Sequence, residues 1–161
     1  MTFEEFVTAR LGALLRYATA LTCDPYLADD IVGEVLVRSS SRWRRIERME
    51  QPEAYVKRMV LNEFLSTRRR RGRTVPMSHE QLDSRAEGSD PHAVLPERDA
   101  LMRSVRALPP KQRAVIALRY FEGHTYDEIA DLLGCRPSTV RVHASNALTR
   151  LRSGELKIVG E

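Results

Sequence analysis

The spacing of apolar residues constrains the fold most, because it has a helical period in both halves of the chain. Over residues 3–21 apolar side chains recur at intervals of three and four, and no segment alternates as a half-buried strand does. Thr2 and Glu5 have the spacing of a capping box, and Asp24 stands before a proline as an N-cap does. We therefore predict an all-α protein, with its first three helices starting near residues 3, 25 and 52 and ending near 21, 38 and 71.

The segment 73–96 divides the chain into two parts. It holds three prolines and has no sustained apolar period, and the net charge over residues 76–100 is −4. An irregular stretch of this length is unusual inside a compact domain. We predict a flexible acidic linker at 73–96 that joins two small helical domains, 1–72 and 97–161.

Charge alternates along the sequence, with net values of −3 over residues 1–40, +7 over 41–75, −4 over 76–100 and +4 over 101–161. Two basic blocks predict two contacts with a polyanion, because Lys and Arg release counterions from phosphates. An arginine-rich solvated surface is the alternative explanation. The sequence also lacks a run of roughly 18 uncharged apolar residues that could span a membrane, and its two cysteines are too few for a disulfide framework. We expect a cytoplasmic protein that does not contact a membrane.

The C-terminal part has the pattern of a helix-turn-helix. A capping box at Thr125 and Glu128 begins a short apolar helix, Gly134 ends it, and Pro137 begins a longer last helix. One side of that last helix is apolar, whereas the side chains on the opposite side are short and polar enough for the helix to enter a major groove. A helix-turn-helix that binds no DNA is the alternative. The predicted DNA contacts are Ser138, Thr139, Arg141, Val142, His143, Ser145 and Asn146.

Two helices of the N-terminal part each carry a polar stripe. The second helix has Asp30, Glu34 and Val37 along one side and apolar residues around most of the rest. A carboxylate stripe suits a basic protein partner, although an ordinary solvated face is equally compatible. The third helix has a strip with an aromatic ring, an amide and two guanidiniums, a combination used to bind single-stranded nucleic acid. The strip residues are Tyr55, Arg58, Asn62 and Arg69; Trp43, just upstream, is predicted to lie in the core.

Taken together, these residues resemble a bacterial sigma factor of the sigma-70 family, of the small extracytoplasmic-function (ECF) type and its SigE-like actinobacterial subgroup. Four motifs carry the resemblance, in order and at the right separations. They are LADDIVGE at 27–34; PEAYVKR at 52–58 with Asn62; LPPKQR at 108–113 through LRY at 118–120; and EIA at 128–130 through LGC at 133–135 to STVR at 138–141.

The resemblance implies a subunit that gives RNA polymerase its promoter specificity. The stripe Asp30, Glu34 and Val37 would bind the clamp helices of the polymerase β′ subunit. Residues 44–51 and the strip on the third helix would read and melt the −10 element, and the last helix would read the −35 element as duplex. Implied partners are core polymerase, through the β′ clamp helices and the β flap, promoter DNA, and an anti-sigma factor as a further candidate. No cofactor and no metal are implied.

The sequence departs from the family pattern at three places. Gly33 stands where glutamine is usual, which should loosen the second helix and reduce its contact with polymerase. Arg136 stands where a capping serine is common. His143, Ser145 and Asn146 occupy positions where many relatives carry Arg or Lys, so affinity for phosphates should be lower.

Two other functions are compatible with parts of the sequence. A helix-turn-helix regulator that does not bind polymerase core would explain the C-terminal part and leave the N-terminal part without a role. A nucleic-acid-processing enzyme would need Asp29, Asp30 and Glu34 to hold Mg²⁺, but adjacent aspartates point about 100° apart on a helix. The four histidines also lack the spacing of metal ligands. We therefore predict that the protein is not an enzyme.

Overall fold

The computed structural model describes the backbone of residues 1–73 and 96–159 and the side chains of residues 1–66 and 100–154. Every regular element in these ranges is helical, so the fold is all-α as predicted. The helices are α1 (Phe3–Thr22), α2 (Pro25–Ser41), α3 (Trp43–Ile46), α4 (Pro52–Arg73), α5 (Pro96–Arg106), α6 (Pro110–Ile116, continued by the π-helical turn Ala117–Phe121), α7 (Tyr126–Leu133) and α8 (Pro137–Val159). No helix in the described ranges combines the length and apolarity needed to cross a bilayer.

The N-terminal half, α1 to α4, begins its first two helices at the predicted caps. The Thr2 hydroxyl accepts from the Glu5 amide at 3.2 Å, while the Glu5 carboxylate accepts from the Thr2 amide at 3.0 Å. The Asp24 carboxylate accepts from the amides of Tyr26 and Leu27, at 3.0 and 3.3 Å. Helices α1, α2 and α4 pack against one another. The two caps fix the N-termini of the first two of these helices.

Two helix ends lie beyond the positions that the sequence predicts. Helix α2 continues to Ser41, because Ser39 is buried and donates to the Met59 sulfur at 3.6 Å across the α2–α4 contact. Helix α4 continues through Gly72 to Arg73. A glycine in a helix costs only about 1 kcal/mol relative to alanine, so it does not oblige the helix to end.

Helix α3 is a short turn that the sequence did not predict. Its Trp43 is buried, with ring centroids 4.9 Å from Phe6 and 5.7 Å from Phe3, and its indole N–H donates to the Met1 carbonyl at 3.0 Å. The prediction that Trp43 is a core residue is confirmed.

The C-terminal half, α5 to α8, contains the predicted helix-turn-helix in α7 and α8. Thr125 and Glu128 form a second capping box with both bonds at 3.1 Å, and Gly134 ends α7 at a φ of +68°. The inward face of α8 is buried at Val140, Ala144 and Ala147, which pack against α6 and α7.

The two halves lie against each other and share one continuous buried core. Helix α6 contacts α4, and the π-helical turn contacts α1. The predicted linker 73–96 lies outside the described residues except at its ends, since Arg73 is the last residue of α4 and Pro96 the first of α5.

Candidate protein and nucleic-acid interfaces

The stripe on α2 is exposed along its length. Asp30 and Glu34 are exposed, and Val37 is 71% exposed, whereas Ala28 and Val32 on the opposite side of the helix are buried. The stripe therefore combines two carboxylates with an apolar side chain that has no place in the core. A surface that combines charged side chains with an exposed apolar one suits a protein partner.

Arg38, one turn beyond Glu34, is directed mainly toward a different carboxylate. Its guanidinium contacts Glu63 on α4 at 2.7 Å, while the distance to Glu34 is 3.9 Å. The closer partner keeps Arg38 against α4, so the negative charge of the stripe remains largely available to a basic surface.

The strip on α4 lies beside a helix side that is entirely buried. Arg58 and Asn62 are exposed and Tyr55 is half-buried, while the buried side carries Val56, Val60, Leu61 and Phe64. The structure thus places the first three strip residues along one accessible edge. The side chain of Arg69 lies outside the described residues.

A cleft of about 480 Å³ lies between the strip and the C-terminal half. Gln51 and Arg58 line its N-terminal wall, and Glu122 and His124 line the opposite wall. A strand of nucleic acid that reached Arg58 from this side would meet the Glu122 carboxylate.

The outward face of α8 is open to solvent. Six of the seven predicted contacts are exposed: Ser138, Thr139, Arg141, Val142, Ser145 and Asn146. They share one accessible surface, which has the length and polarity that a major-groove helix requires.

His143 is the exception on this helix. It is half-buried in a groove that Lys111 and Leu65 also line, on the side that faces the N-terminal half. Burial, together with the positive charge of Lys111, lowers the pKa of the imidazole. The structure therefore sets His143 apart from the other six residues.

Arg119 and Tyr126, which were not among the predicted DNA contacts, lie beside the predicted contact Arg141. The Arg119 guanidinium lies 4.5 Å from the centre of the Tyr126 ring, and the Arg141 guanidinium lies 5.9 Å from it. Arg119 also donates to the His124 carbonyl at 3.1 Å. No local pattern marks this cluster, because its members come from the π-helical turn, α7 and α8.

No metal centre is formed by the side chains in the described ranges: no group of three or more His, Cys, Asp or Glu residues is arranged to hold an ion.

Comparisons with known proteins match both halves. The Sigma-70 region 2 model matches residues 6–74 and the Sigma-70 region 4 model matches residues 98–151. The RNA polymerase sigma-E factor of Streptomyces coelicolor is 35% identical over 94% of this chain and 85% of its own length. The ECF RNA polymerase sigma factor SigL of Mycobacterium tuberculosis is 32% identical over 88% of this chain and 81% of its own length.

A solved structure has the same fold. The sigma factor RpoE of Bartonella quintana, solved in complex with the anti-sigma factor NepR, aligns with a TM-score of 0.67 and 25% identity, covering 94% of this chain and 95% of that chain.

Proposed function

The chain belongs to the sigma-70 family of bacterial RNA polymerase sigma factors, in its ECF group, and from that premise we propose which of its surfaces contact polymerase and which contact promoter DNA. As a sigma factor it binds RNA polymerase core and promoter DNA and directs transcription initiation. We place it in the cytoplasm and assign it no enzymatic activity of its own. Residues 1–72 would act as the core-binding and −10 domain, 73–96 as the linker, and 97–161 as the −35 domain.

The stripe Asp30, Glu34 and Val37 is the proposed contact with the clamp helices of the β′ subunit. Its two carboxylates would pair with basic side chains of the partner, and Val37 would be covered by apolar ones. The exposure of this stripe, and above all of the apolar Val37 at 71%, on a helix whose other side is buried is the observation that supports the proposal.

The promoter contacts fall on two helices of different chemistry. The strip Tyr55, Arg58, Asn62 and Arg69 on α4 would hold bases and phosphates of the melted −10 element by stacking and hydrogen bonding. The outward face of α8 would read the −35 element as duplex, with Arg141 and Asn146 able to pair with guanine and adenine edges.

Two exposed aromatic residues are the proposed contact with the polymerase β flap. Tyr120 and Phe121 end the π-helical turn and are 61% and 57% exposed. Large apolar side chains exposed together on a small domain favour a protein partner, and π-helical turns are frequent at functional sites. An anti-sigma factor is a further candidate partner, because the Bartonella neighbour was solved with one.

Charge reversal on the α2 stripe tests the proposal. We expect Asp30→Lys with Glu34→Lys to abolish co-purification with polymerase core and to leave binding of duplex DNA by α8 intact. The matched control is Asp29→Lys with Asp131→Lys, which makes the same change in net charge at exposed positions outside the stripe and should keep both activities.

Retention of core binding by the stripe variant would remove the proposed role of Asp30 and Glu34. Failure of the wild-type chain to bind core, with duplex binding intact, would instead favour the helix-turn-helix regulator.

A further inference from the structure

Tyr126, the first residue of α7, lies beside two arginines that come from other elements. The guanidinium of Arg119, on the π-helical turn, lies 4.5 Å from the centre of the ring, and that of Arg141, on α8, lies 5.9 Å from it. Both distances fall within the roughly 6 Å over which an aromatic ring attracts a cation. Tyr126 is half-buried and packs against the core, so its ring gives both arginines a fixed surface.

Arg119 also holds the loop that leads into α7. It donates to the carbonyl of His124 at 3.1 Å, two residues before Tyr126. Between these two residues Thr125 caps the helix, and its hydroxyl accepts from the Glu128 amide at 3.1 Å. The position of the Tyr126 ring is therefore fixed by the loop, by the cap and by the core.

Arg141 is the arginine of this cluster that a ligand can reach. It is exposed, whereas Arg119 is half-buried. Neither arginine forms an ion pair with a carboxylate among the described residues. The positive charge of Arg141 is thus held by an uncharged ring and remains available to a partner that is anionic or accepts hydrogen bonds.

A groove of about 270 Å³ shows where Arg141 is directed. Tyr126 and Arg141 line this groove together with Ser145, Thr149 and Arg152. Positions 141, 145, 149 and 152 recur at intervals of three and four, so the groove follows one side of α8. Arginine and hydroxyl side chains are groups that contact the sugar-phosphate strand and the base edges of duplex DNA.

An arginine that is held in place before binding contacts DNA more favourably than one that moves freely. Binding must otherwise immobilise a side chain with many rotamers, at a cost in conformational entropy. A ring that already holds the guanidinium removes part of this cost. The free energy of a cation–π contact at an exposed site corresponds to a factor of about two to five in an equilibrium constant. Tyr126 can therefore change affinity by about this factor through Arg141.

We propose that Tyr126 is a positioning residue for promoter recognition: its ring, fixed by Arg119 and the cap of α7, holds Arg141 in the orientation in which it contacts the −35 duplex. The inference rests on the proposed function for the identity of the duplex and on the contacts above for the geometry. Tyr126 acts through Arg141 and not by its own contact with a base. The role requires an aromatic ring, whereas packing against the core requires only apolar volume.

Replacing the ring while keeping apolar volume tests this role. The binding assay uses holoenzyme assembled from the full chain and polymerase core, with a promoter fragment that the wild-type holoenzyme selects from a random library. We expect Tyr126→Leu to weaken binding about two- to fivefold, with the loss confined to base pairs at which Arg141→Ala also changes preference. Tyr126→Phe, which keeps the ring and loses only the hydroxyl, is the matched control and should bind as the wild-type chain does.

A double-mutant cycle separates positioning from stability. In a chain that carries Arg141→Ala, Tyr126→Leu should cause no further loss of binding, because the side chain on which the ring acts is already gone. An equal loss with and without Arg141 would show that Tyr126 only stabilises the helix-turn-helix, and it would overturn the proposal.

Fluorination of the ring tests the same contact in variants that keep their size. Phenylalanine at position 126 with one, two or three ring fluorine atoms attracts a cation progressively less, because fluorine withdraws electrons from the ring face. Binding should weaken with each added fluorine. A constant affinity across the series would contradict a role for the ring in holding Arg141.

Nuclear magnetic resonance of the full chain tests the contact without polymerase. The ring current should shift side-chain resonances of Arg119 and Arg141, and Tyr126→Leu should remove both shifts. An unshifted Arg141 in the wild-type chain would contradict its placement against the ring. If the shifts are present and the wild-type holoenzyme selects no fragment, the proposed function fails and the positioning role fails with it, whereas failure of the positioning role alone leaves wild-type selection intact.

Discussion

Gly33 offers a test in which helix stability and partner binding can be separated. It is exposed on α2, and a Cβ atom added there would meet nothing within 4 Å, so a larger residue fits without rearrangement. Glycine inside a helix is less stable than alanine by about 0.5–1 kcal/mol, because it loses more backbone freedom on folding. Gly33→Ala should therefore stabilise the protein by about that amount.

The expected stabilisation corresponds to a rise in melting temperature of about 1–4 °C, since 1 kcal/mol shifts a chain of this size by roughly 2–4 °C. Thermal unfolding followed by circular dichroism measures it, and urea unfolding gives an independent free energy. An unchanged or lower melting temperature would refute the claim that a larger side chain fits at position 33 without rearrangement.

Gly33→Gln distinguishes the helix from the interface. Both variants should raise the melting temperature, but only glutamine adds an amide beside Glu34 that can contact polymerase. We expect Gly33→Gln to raise the affinity for core and Gly33→Ala to leave it near the wild-type value. An equal gain in core affinity for both variants would assign the effect to helix rigidity. If Gly33→Gln gives no gain in core affinity, Gly33 does not reduce the contact with polymerase as proposed.

Three further predictions address the DNA surfaces and the helix-turn-helix. Arg58→Ala and Asn62→Ala should reduce promoter melting, measured as lost permanganate reactivity of −10 thymines; persistent melting would mean that the strip is wrongly assigned. Arg141→Ala and Asn146→Ala should each change preference within the −35 element only, by about 1–3 kcal/mol per lost base contact, in competition binding with base-substituted duplexes. An altered −10 preference would argue against their assignment. Thr125→Ala should cost about 1 kcal/mol in urea unfolding, because it removes the N-cap of α7, and an unchanged stability would contradict the importance of that cap.

Features with local causes could be predicted from the sequence. The starts of α1, α2 and α7 follow from Thr2, Asp24 and Thr125, each of which accepts a hydrogen bond from an amide two or three residues ahead. The inward face of α8 follows from its period, since Val140 and Ala144 lie one turn apart and are both buried. Such contacts lie within one helical turn, so the order of residues is enough to find them.

Features that depend on distant contacts could not be predicted. Arg113 counts as one more cation in a basic segment, yet it is buried because α1 and α4 supply its surroundings from far along the chain. The π-helical turn at Ala117–Phe121, which contacts α1, and the groove that His143 shares with Lys111 and Leu65 likewise involve residues far apart in the sequence. Net charge therefore overstated the basic surface available to DNA, and only the structure separates the arginines that face solvent from those, such as Arg113 and Arg106, that contact the other half.

Transcription reconstituted from purified parts is the most direct test of the central claim. The full chain, mixed with bacterial core polymerase and genomic DNA fragments, should form a complex with core and start RNA synthesis at discrete sites that are silent with core alone. A chain that neither associates with core nor produces any specific transcript would contradict the account.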